Sequence, residues 1–252
     1  MGKVIAIANQ KGGVGKTTTA INLSEALAYL GMSVLMVDID PQGNATSGLG
    51  MEKNAIKNCI YDVLINGYPA ENIIRNTGKE HLDVVPATIQ LAGAEIELVS
   101  TVSREVKLRE ALTKIRDKYD YTLIDCPPSL GLLTINALSA ADVLMIPIQC
   151  EYYALEGLGQ LMNTIELVKR HLNENLAVEG VVLTMFDART NLSSQVAAEV
   201  KNYFQDLVYQ SVIPRNVRLS EAPSHGKPIM EYDARSKGSE VYLQLAREVI
   251  SK

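Results

Sequence analysis

The run Asn9-Gln10-Lys11-Gly12-Gly13-Val14-Gly15-Lys16-Thr17-Thr18-Thr19 follows directly on the apolar segment Lys3–Ala8 and opens a helical pattern at Thr17. A strand, a glycine-rich turn and a helix start, in that order, make a cradle for phosphate. Glycines let backbone N–H groups turn inward, and the helix aims its positive end at the same anion. In such a cradle Lys16 reaches the β- and γ-phosphates, the Thr17 hydroxyl ligates Mg²⁺ and Thr18 hydrogen-bonds the α-phosphate. The usual form of the loop, G-x-x-x-x-G-K-[ST], fails at one place, because Gln10 stands where its first glycine belongs. What remains, Lys-Gly-Gly-x-Gly-Lys-Thr, arises by chance in a chain of this length roughly once in 10⁵ from average residue usage.

The rest of the chain alternates short apolar runs with amphipathic ones. Lys3–Ala8, Ser33–Val37, Leu82–Val85, Tyr121–Ile124, Val143–Ile148, Val178–Thr184 and Leu207–Ile213 read as strands, most of them apolar throughout, as strands covered on both faces must be. Helical patterns cover Thr17–Leu30 ending at Gly31, Arg104–Lys118, Ala154–Asn173, Ser193–Gln205 and Ser239–Ile250. The alternation predicts an α/β fold: a doubly wound, mostly parallel twisted sheet flanked by helices, with ligands beyond the carboxyl ends of the strands. With no repeat, low-complexity tract or Gly/Ser linker, residues 1–252 read as a single domain.

Composition narrows the setting. The 47% hydrophobic and 21% charged fractions suit an ordinary globular chain. No apolar stretch approaches the roughly 20 residues that cross a bilayer, and no export or lipidation signal opens the chain. Cys59, Cys126 and Cys150 are odd in number and widely spaced, which indicates a reducing cytoplasm instead of a disulfide framework or zinc site, and Cys126 and Cys150 read as buried small hydrophobes. His81, His171 and His225 are too scattered for a metal triad. The net charge of −5 argues against a body that clamps nucleic acid over its whole surface, while leaving room for a local basic patch.

Acids stand where phosphate chemistry needs them. Asp38 and Asp40 follow the second strand, in Val37-Asp38-Ile39-Asp40-Pro41-Gln42-Gly43-Asn44, and Asp125 ends the strand before Cys126-Pro127-Pro128-Ser129. An aspartate at such a strand end can hold Mg²⁺ through a water or position an attacking water.

The Lys11–Thr17 loop, the Asp38–Asn44 and Ile124–Ser129 segments, Cys150–Gly157 and Ile213–Pro228 together resemble the deviant-Walker ATPases, most closely the ParA/Soj branch that partitions bacterial chromosomes and plasmids. The resemblance covers nearly the whole chain. It implies a cytoplasmic, nucleoid-associated ATPase that uses ATP and Mg²⁺ and forms a homodimer on ATP. Lys11 is then the lysine that reaches across the dimer to the other subunit's phosphates. Gly12 lies at the seam and contributes, with Gly13, Val14 and Gly15, to the ATP cradle. The same resemblance makes Asp40 the water-positioning residue, assigns Asp38 and Asp125 to the Mg²⁺ surroundings with Thr17, and sets Pro214 and Asn216 against the adenine. It also implies nonspecific double-stranded DNA as a partner, bound through Arg189 and Arg218 with weaker help from Arg215 and Lys227, and a ParB-like centromere-binding protein that stimulates hydrolysis, often through a basic N-terminal tail.

Rival readings on the same nucleotide site make different demands. A MinD-type membrane ATPase ends in a basic amphipathic helix, whereas this chain ends in a mixed-charge helix with a core-like stripe. A nitrogenase-iron-protein-like reductase needs a glycine-rich cysteine loop that is not present. A kinase or amidoligase on this fold would need an added substrate before it turned over ATP.

Overall fold

The apolar runs become one seven-stranded sheet in a computed structural model of the chain, which describes residues 2–152 and 158–252. β1 (Lys3–Ile7) leads to α1 (Lys16–Tyr29), β2 (Val34–Asp38) to α2 (Asn44–Gly48) and α3 (Ile60–Asn66), and the pair β3 (Arg75–Lys79) and β4 (Leu82–Val85) to α4 (Ala94–Glu97) and α5 (Lys107–Thr113). β5 (Tyr121–Asp125) is followed by α6 (Leu132–Ala140), β6 (Val143–Gln149) by α7 (Leu158–His171), and β7 (Ala177–Thr184) by α8 (Asn191–Phe204), α9 (Val217–Glu221), α10 (Ile229–Tyr232) and α11 (Lys237–Ser251). The strand order is β3-β4-β2-β5-β1-β6-β7, parallel except where β3 meets β4. The expected doubly wound α/β architecture is therefore the one observed.

Both faces of the sheet are dry, which is why the central strands carry unbroken aliphatic runs. One face packs Val4, Leu35, Ile124 and Leu144 under α3, α5, α6, α7 and α8; the other packs Ile5, Met36, Leu123 and Val182 under α1 and α11. α1 is wedged between sheet and α11, so most of its residues are buried, polar ones included, and its Thr19 hydroxyl meets the Tyr242 hydroxyl of α11 at 3.2 Å. It ends before Gly31, whose φ of 87° suits glycine. α11 turns its stripe of Val241, Leu245, Ala246 and Val249 into this core, so those side chains are already packed within the fold.

Three expectations change. Leu207–Ile213 runs beside β7 and bonds to it through Tyr209 N–H to Val181 O (3.0 Å) and Ile213 N–H to Leu183 O (2.8 Å), but it is no strand. The intervening amides of Gln210 and Ser211 are taken, each at 2.8 Å, by the Glu248 carboxylate of α11. β3, Arg-Asn-Thr-Gly-Lys, is an edge strand too polar to register as one in the sequence. The helix expected over Arg104–Lys118 shortens to Lys107–Thr113 plus a 3₁₀ turn at Arg116–Lys118. The helix expected from Ala154 is seen from Leu158, and its first residues, with Tyr153–Gly157 of the family-like segment, lie outside the described residues.

Candidate active site

Sheet register assembles the site. Ile7, Asp38 and Asp125 occupy the last paired level of three adjacent strands, with Asp125 between the other two. The glycine loop, the Asp38–Gly43 turn and the Asp125–Gly131 turn thus leave the sheet side by side. The loop is shaped by Gly13 (φ 74°) and Gly15 (φ 88°), a backbone region that side-chain-bearing residues rarely enter. Asn9 anchors its start, giving its amide to Pro147 O (2.8 Å) and accepting from Lys11 N–H (3.0 Å), while Thr184 donates to Val14 O (2.8 Å) from beneath.

Lys16 is buried and donates from Nζ to Lys11 O at 2.9 Å, so its ammonium is folded back over the loop that it serves. Burial lowers its pKa, and the charges of Asp125, Cys126 and Asp40 oppose that shift. Asp38 is fully buried and tied down: Oδ2 accepts from Thr46 N–H (2.8 Å) and Thr46 Oγ1 (2.7 Å), and Oδ1 from Asp40 N–H (3.1 Å). Burial nevertheless pushes its carboxyl up to about 6. Asp40, also buried, caps its own turn by accepting from Gln42 N–H (2.8 Å) and stays close enough to act on the Lys16 charge.

Asp125 is the exception among these acids. The Thr17 hydroxyl stands near enough to lower its pKa, yet neither carboxylate oxygen has a hydrogen-bond partner of good geometry, although both are buried. Burial first, and the Asp38 charge second, hold this carboxyl well above the usual range. Buried polar atoms without partners are costly, and two oxygens left so beside a lysine and a threonine hydroxyl fit a hard cation that takes oxygen ligands. A Mg²⁺ there would be completed by phosphate oxygens and water, as that ion prefers.

Beyond the loop a cavity of about 390 Å³ opens between Gly15, Thr18, Thr184, Met185, Pro214 and Asn216. It brings the two residues expected to face a base to the foot of the glycine loop. Phe186 and Pro214 bridge two chain segments here, with Arg215 N–H bonding Phe186 O at 2.9 Å. Met185 holds a φ of 51°, unusual for a residue with a side chain. Asn216 is partly committed: its Oδ1 caps α9 by accepting from Arg218 N–H (2.8 Å), which leaves its NH₂ as the group free to meet a ligand.

The basic residues expected to face DNA are all held by acids. Arg189 forms a two-pronged pair with Asp187 (2.9 and 2.7 Å), Arg218 pairs with Glu221 (3.0 Å) and Asp233 (3.5 Å), Arg215 with Glu151 (2.9 Å) and Lys227 with Glu231 (3.2 Å). The Arg189 contact pulls Asp187 down to about 2, and Arg215 is close enough to contribute. The Arg189 turn therefore lies near Arg215.

Sequence reasoning missed Thr46, Thr184 and Tyr242, which hold the acids, the loop and α1 from distant parts of the chain. No local signal marks them. The three cysteines are buried, burial raising Cys150 to about 11 and Cys126 further, which suits packing and not redox chemistry. The three histidines are exposed.

A family model described as an AAA domain matches residues 2–178. The chain is 68% identical over 249 residues to the sporulation initiation inhibitor protein Soj of Bacillus subtilis, covering 99% of this chain and 98% of that protein. It is 56% identical over 252 residues to the chromosome partitioning protein ParA of Myxococcus xanthus, covering 100% and 89%. Among solved structures, cobyrinic acid a,c-diamide synthase from Mycobacterium smegmatis with bound ATP analogue and magnesium superposes with a TM-score of 0.88 at 36% identity, covering 99% of this chain and 95% of that one.

Proposed function

The chain belongs to the ParA/Soj family of chromosome-partitioning ATPases, and from that premise we propose that it is an ATP- and Mg²⁺-dependent switch that pairs on ATP, holds DNA while paired and lets go on hydrolysis. The observation that carries the reading is the unpartnered, buried Asp125 carboxylate lying opposite Asp38 and beside Lys16 and Thr17. Bound Mg²⁺ would supply charge neutralisation at the β- and γ-phosphates, with Thr17, Asp38 and Asp125 around it.

The chain's own residues supply the rest. Backbone amides of Gly12, Gly13, Val14 and Gly15 face the phosphates, and Lys16 swings from Lys11 O onto them. Thr18 faces the α-phosphate, and Pro214 and Asn216 flank the base in the cavity above Gly15. Asp40 orients the attacking water, since phosphoryl transfer depends on placement and charge more than on a strong base. Lys11 of one protomer completes the other protomer's site, so an isolated monomer turns over slowly.

Arg189 and Arg218 meet DNA phosphate, with Arg215 and Lys227 beside them. In the monomer these cations are countered by acids and the body is negative, so single-protomer binding is weak; pairing doubles the contacts. A ParB-like protein bound to a centromere-like site stimulates hydrolysis, and the chain acts as one unit in the cytoplasm on the nucleoid. The burial of the α11 stripe in the core favours DNA over a membrane as the surface engaged. The test is a DNA-binding titration against salt with ATP, ADP and no nucleotide: binding confined to ATP and falling steeply with salt is expected, and binding indifferent to nucleotide overturns the switch.

A further inference from the structure

α7 ends in Lys169, Arg170 and His171, and Arg109 of α5 reaches across to donate from Nη1 to Leu172 O at 2.7 Å. Around them opens a hollow of about 330 Å³, completed by Glu174 and Asn175 and polar throughout except at Leu172. Three cations, with His171 beside them, thus gather round a single acid in a chain whose net charge is −5.

These cations differ from the others in having no answering acids. Arg189, Arg215, Arg218 and Lys227 are each paired with a carboxylate, whereas among the described residues no carboxylate pairs with Arg109, Lys169 or Arg170. The carbonyl end of a helix eases positive charge in its last turn, and the Arg109 bond satisfies one of those carbonyls. That explains part of the cluster from within the fold. It still leaves Lys169 and Arg170 without a hydrogen-bond partner among the described residues, and most of the Arg109 N–H groups uncommitted.

The hollow also stands apart from the nucleotide. Residues 172–176 join α7 to the start of β7, so it lies where the strands begin, while the glycine loop rests on Thr184 where β7 ends. The eight residues of β7 set the two apart by roughly 20 Å. A protomer that pairs through its glycine-loop face keeps this hollow clear of the seam.

We propose that the hollow is a second contact for the backbone phosphates of duplex DNA, one that does not depend on nucleotide; the proposal takes its polymer from the function given above, but not the switch. An open, polar hollow does not bury a metabolite as an enclosed pocket does, and it offers no apolar socket for the anchoring side chain of a peptide. Cations set along one helix turn and across to the next helix suit charges that repeat along a backbone. The contact adds a weak, salt-sensitive hold beneath the ATP-dependent one, so a protomer released by hydrolysis stays near the DNA.

The test uses the full-length chain and a duplex of arbitrary sequence, with ATP, with ADP and without nucleotide. Without nucleotide, the parent chain binds at about 25 mM salt and lets go by about 150 mM, where only the ATP-dependent binding remains. Lys169→Gln with Arg170→Gln weakens the low-salt binding about fivefold or more and lowers its salt slope by about one to two units. ATP turnover and the ATP-dependent dimer mass by light scattering stay at the parent's values. Lys57→Gln with Lys201→Gln changes the net charge equally at two exposed lysines elsewhere, and leaves the low-salt binding within about twofold of the parent. Equal weakening in both double variants assigns the effect to overall charge and overturns the site, as does a parent chain that binds no DNA at low salt without nucleotide. Low-salt binding that responds to Lys169→Gln with Arg170→Gln, in a chain that shows no ATP-dependent binding, removes the switch and leaves the second contact standing.

Discussion

Asp38 and Asp125 face each other across adjacent strands at the level where both strands end, two buried carboxylates with the Lys16 ammonium nearby. Thr46 satisfies one of them, and the other has no hydrogen-bond partner. Without ligand, the pair is a source of instability. Asp125→Asn is expected to raise the melting temperature of the nucleotide-free protein by about 2–4 °C, corresponding to about 1 kcal/mol. The same variant should lose Mg²⁺-dependent ATP turnover by about a hundredfold or more. Calorimetry alongside an ATPase assay checks both, and a variant that melts earlier while retaining turnover contradicts the assignment.

Lys16 and Asp40 should separate binding from hydrolysis. Lys16→Ala is expected to abolish nucleotide binding, because Lys16 is the buried lysine folded over the glycine loop and the proposed role of Lys11 is toward the other protomer. Asp40→Ala should bind ATP and remain paired while turnover drops by about a hundredfold. An ATP-loaded Asp40→Ala chain that stays monomeric in light scattering would falsify the water-positioning role.

Gly12 has room for a side chain within its own chain, the nearest atom to an added Cβ being Pro128 Cβ at 3.9 Å. Gly12→Val should therefore leave the melting temperature within about 2 °C of the parent and abolish ATP-dependent pairing. A large loss of stability would place the constraint inside the protomer instead.

The paired state of Arg189 gives a change in the opposite sense from arginine removal. Arg189→Ala with Arg218→Ala should lose ATP-dependent DNA binding and flatten its salt dependence, by about one unit of slope for each phosphate no longer neutralised. Asp187→Asn, which frees Arg189 from its two-pronged pair, should tighten DNA binding about two- to fivefold. Equal affinity in parent and Asp187→Asn shows that the ion pair does not compete with phosphate.

Glu25 on α1 accepts from Met230 N–H at 3.2 Å, and burial, aided by Glu231 and opposed by Lys79, lifts its pKa from 4.5 to about 7. A carboxyl raised on folding holds a proton that the unfolded chain releases, so its contribution is fully present below about pH 4.5 and is lost as pH rises through about 7. Glu25→Gln should stabilise the protein by about 1–2 kcal/mol at about pH 8.5 and change little at about pH 5. Urea midpoints at the two pH values decide it.

What the sequence shows and what it hides follow the range of the interactions. The glycine loop is legible because strand, turn and helix start are contiguous, and the aliphatic runs mark buried strands wherever both faces are covered. The meeting of Asp38 with Asp125 is not local: it depends on β2 and β5 being neighbours although 82 or more residues separate them along the chain. Thr46, Thr184 and Tyr242 are invisible for the same reason. Leu207–Ile213 has the composition of a strand, but the Gln210 and Ser211 amides are spent on the Glu248 carboxylate from another helix, which its sequence does not announce. Asn216 carries both a capping signal and a ligand-facing one, and the structure shows that its oxygen serves the cap.

The Glu248 contact also bears on how the molecule avoids unwanted company. An open sheet offers its outermost amides and carbonyls to any extended chain, a common route to aggregation. Here the rim beyond β7 is covered by a segment whose central amides are already occupied by a carboxylate, and the rim at β3 is short, polar and irregular in register. Neither rim invites another strand, so self-association through sheet extension is discouraged.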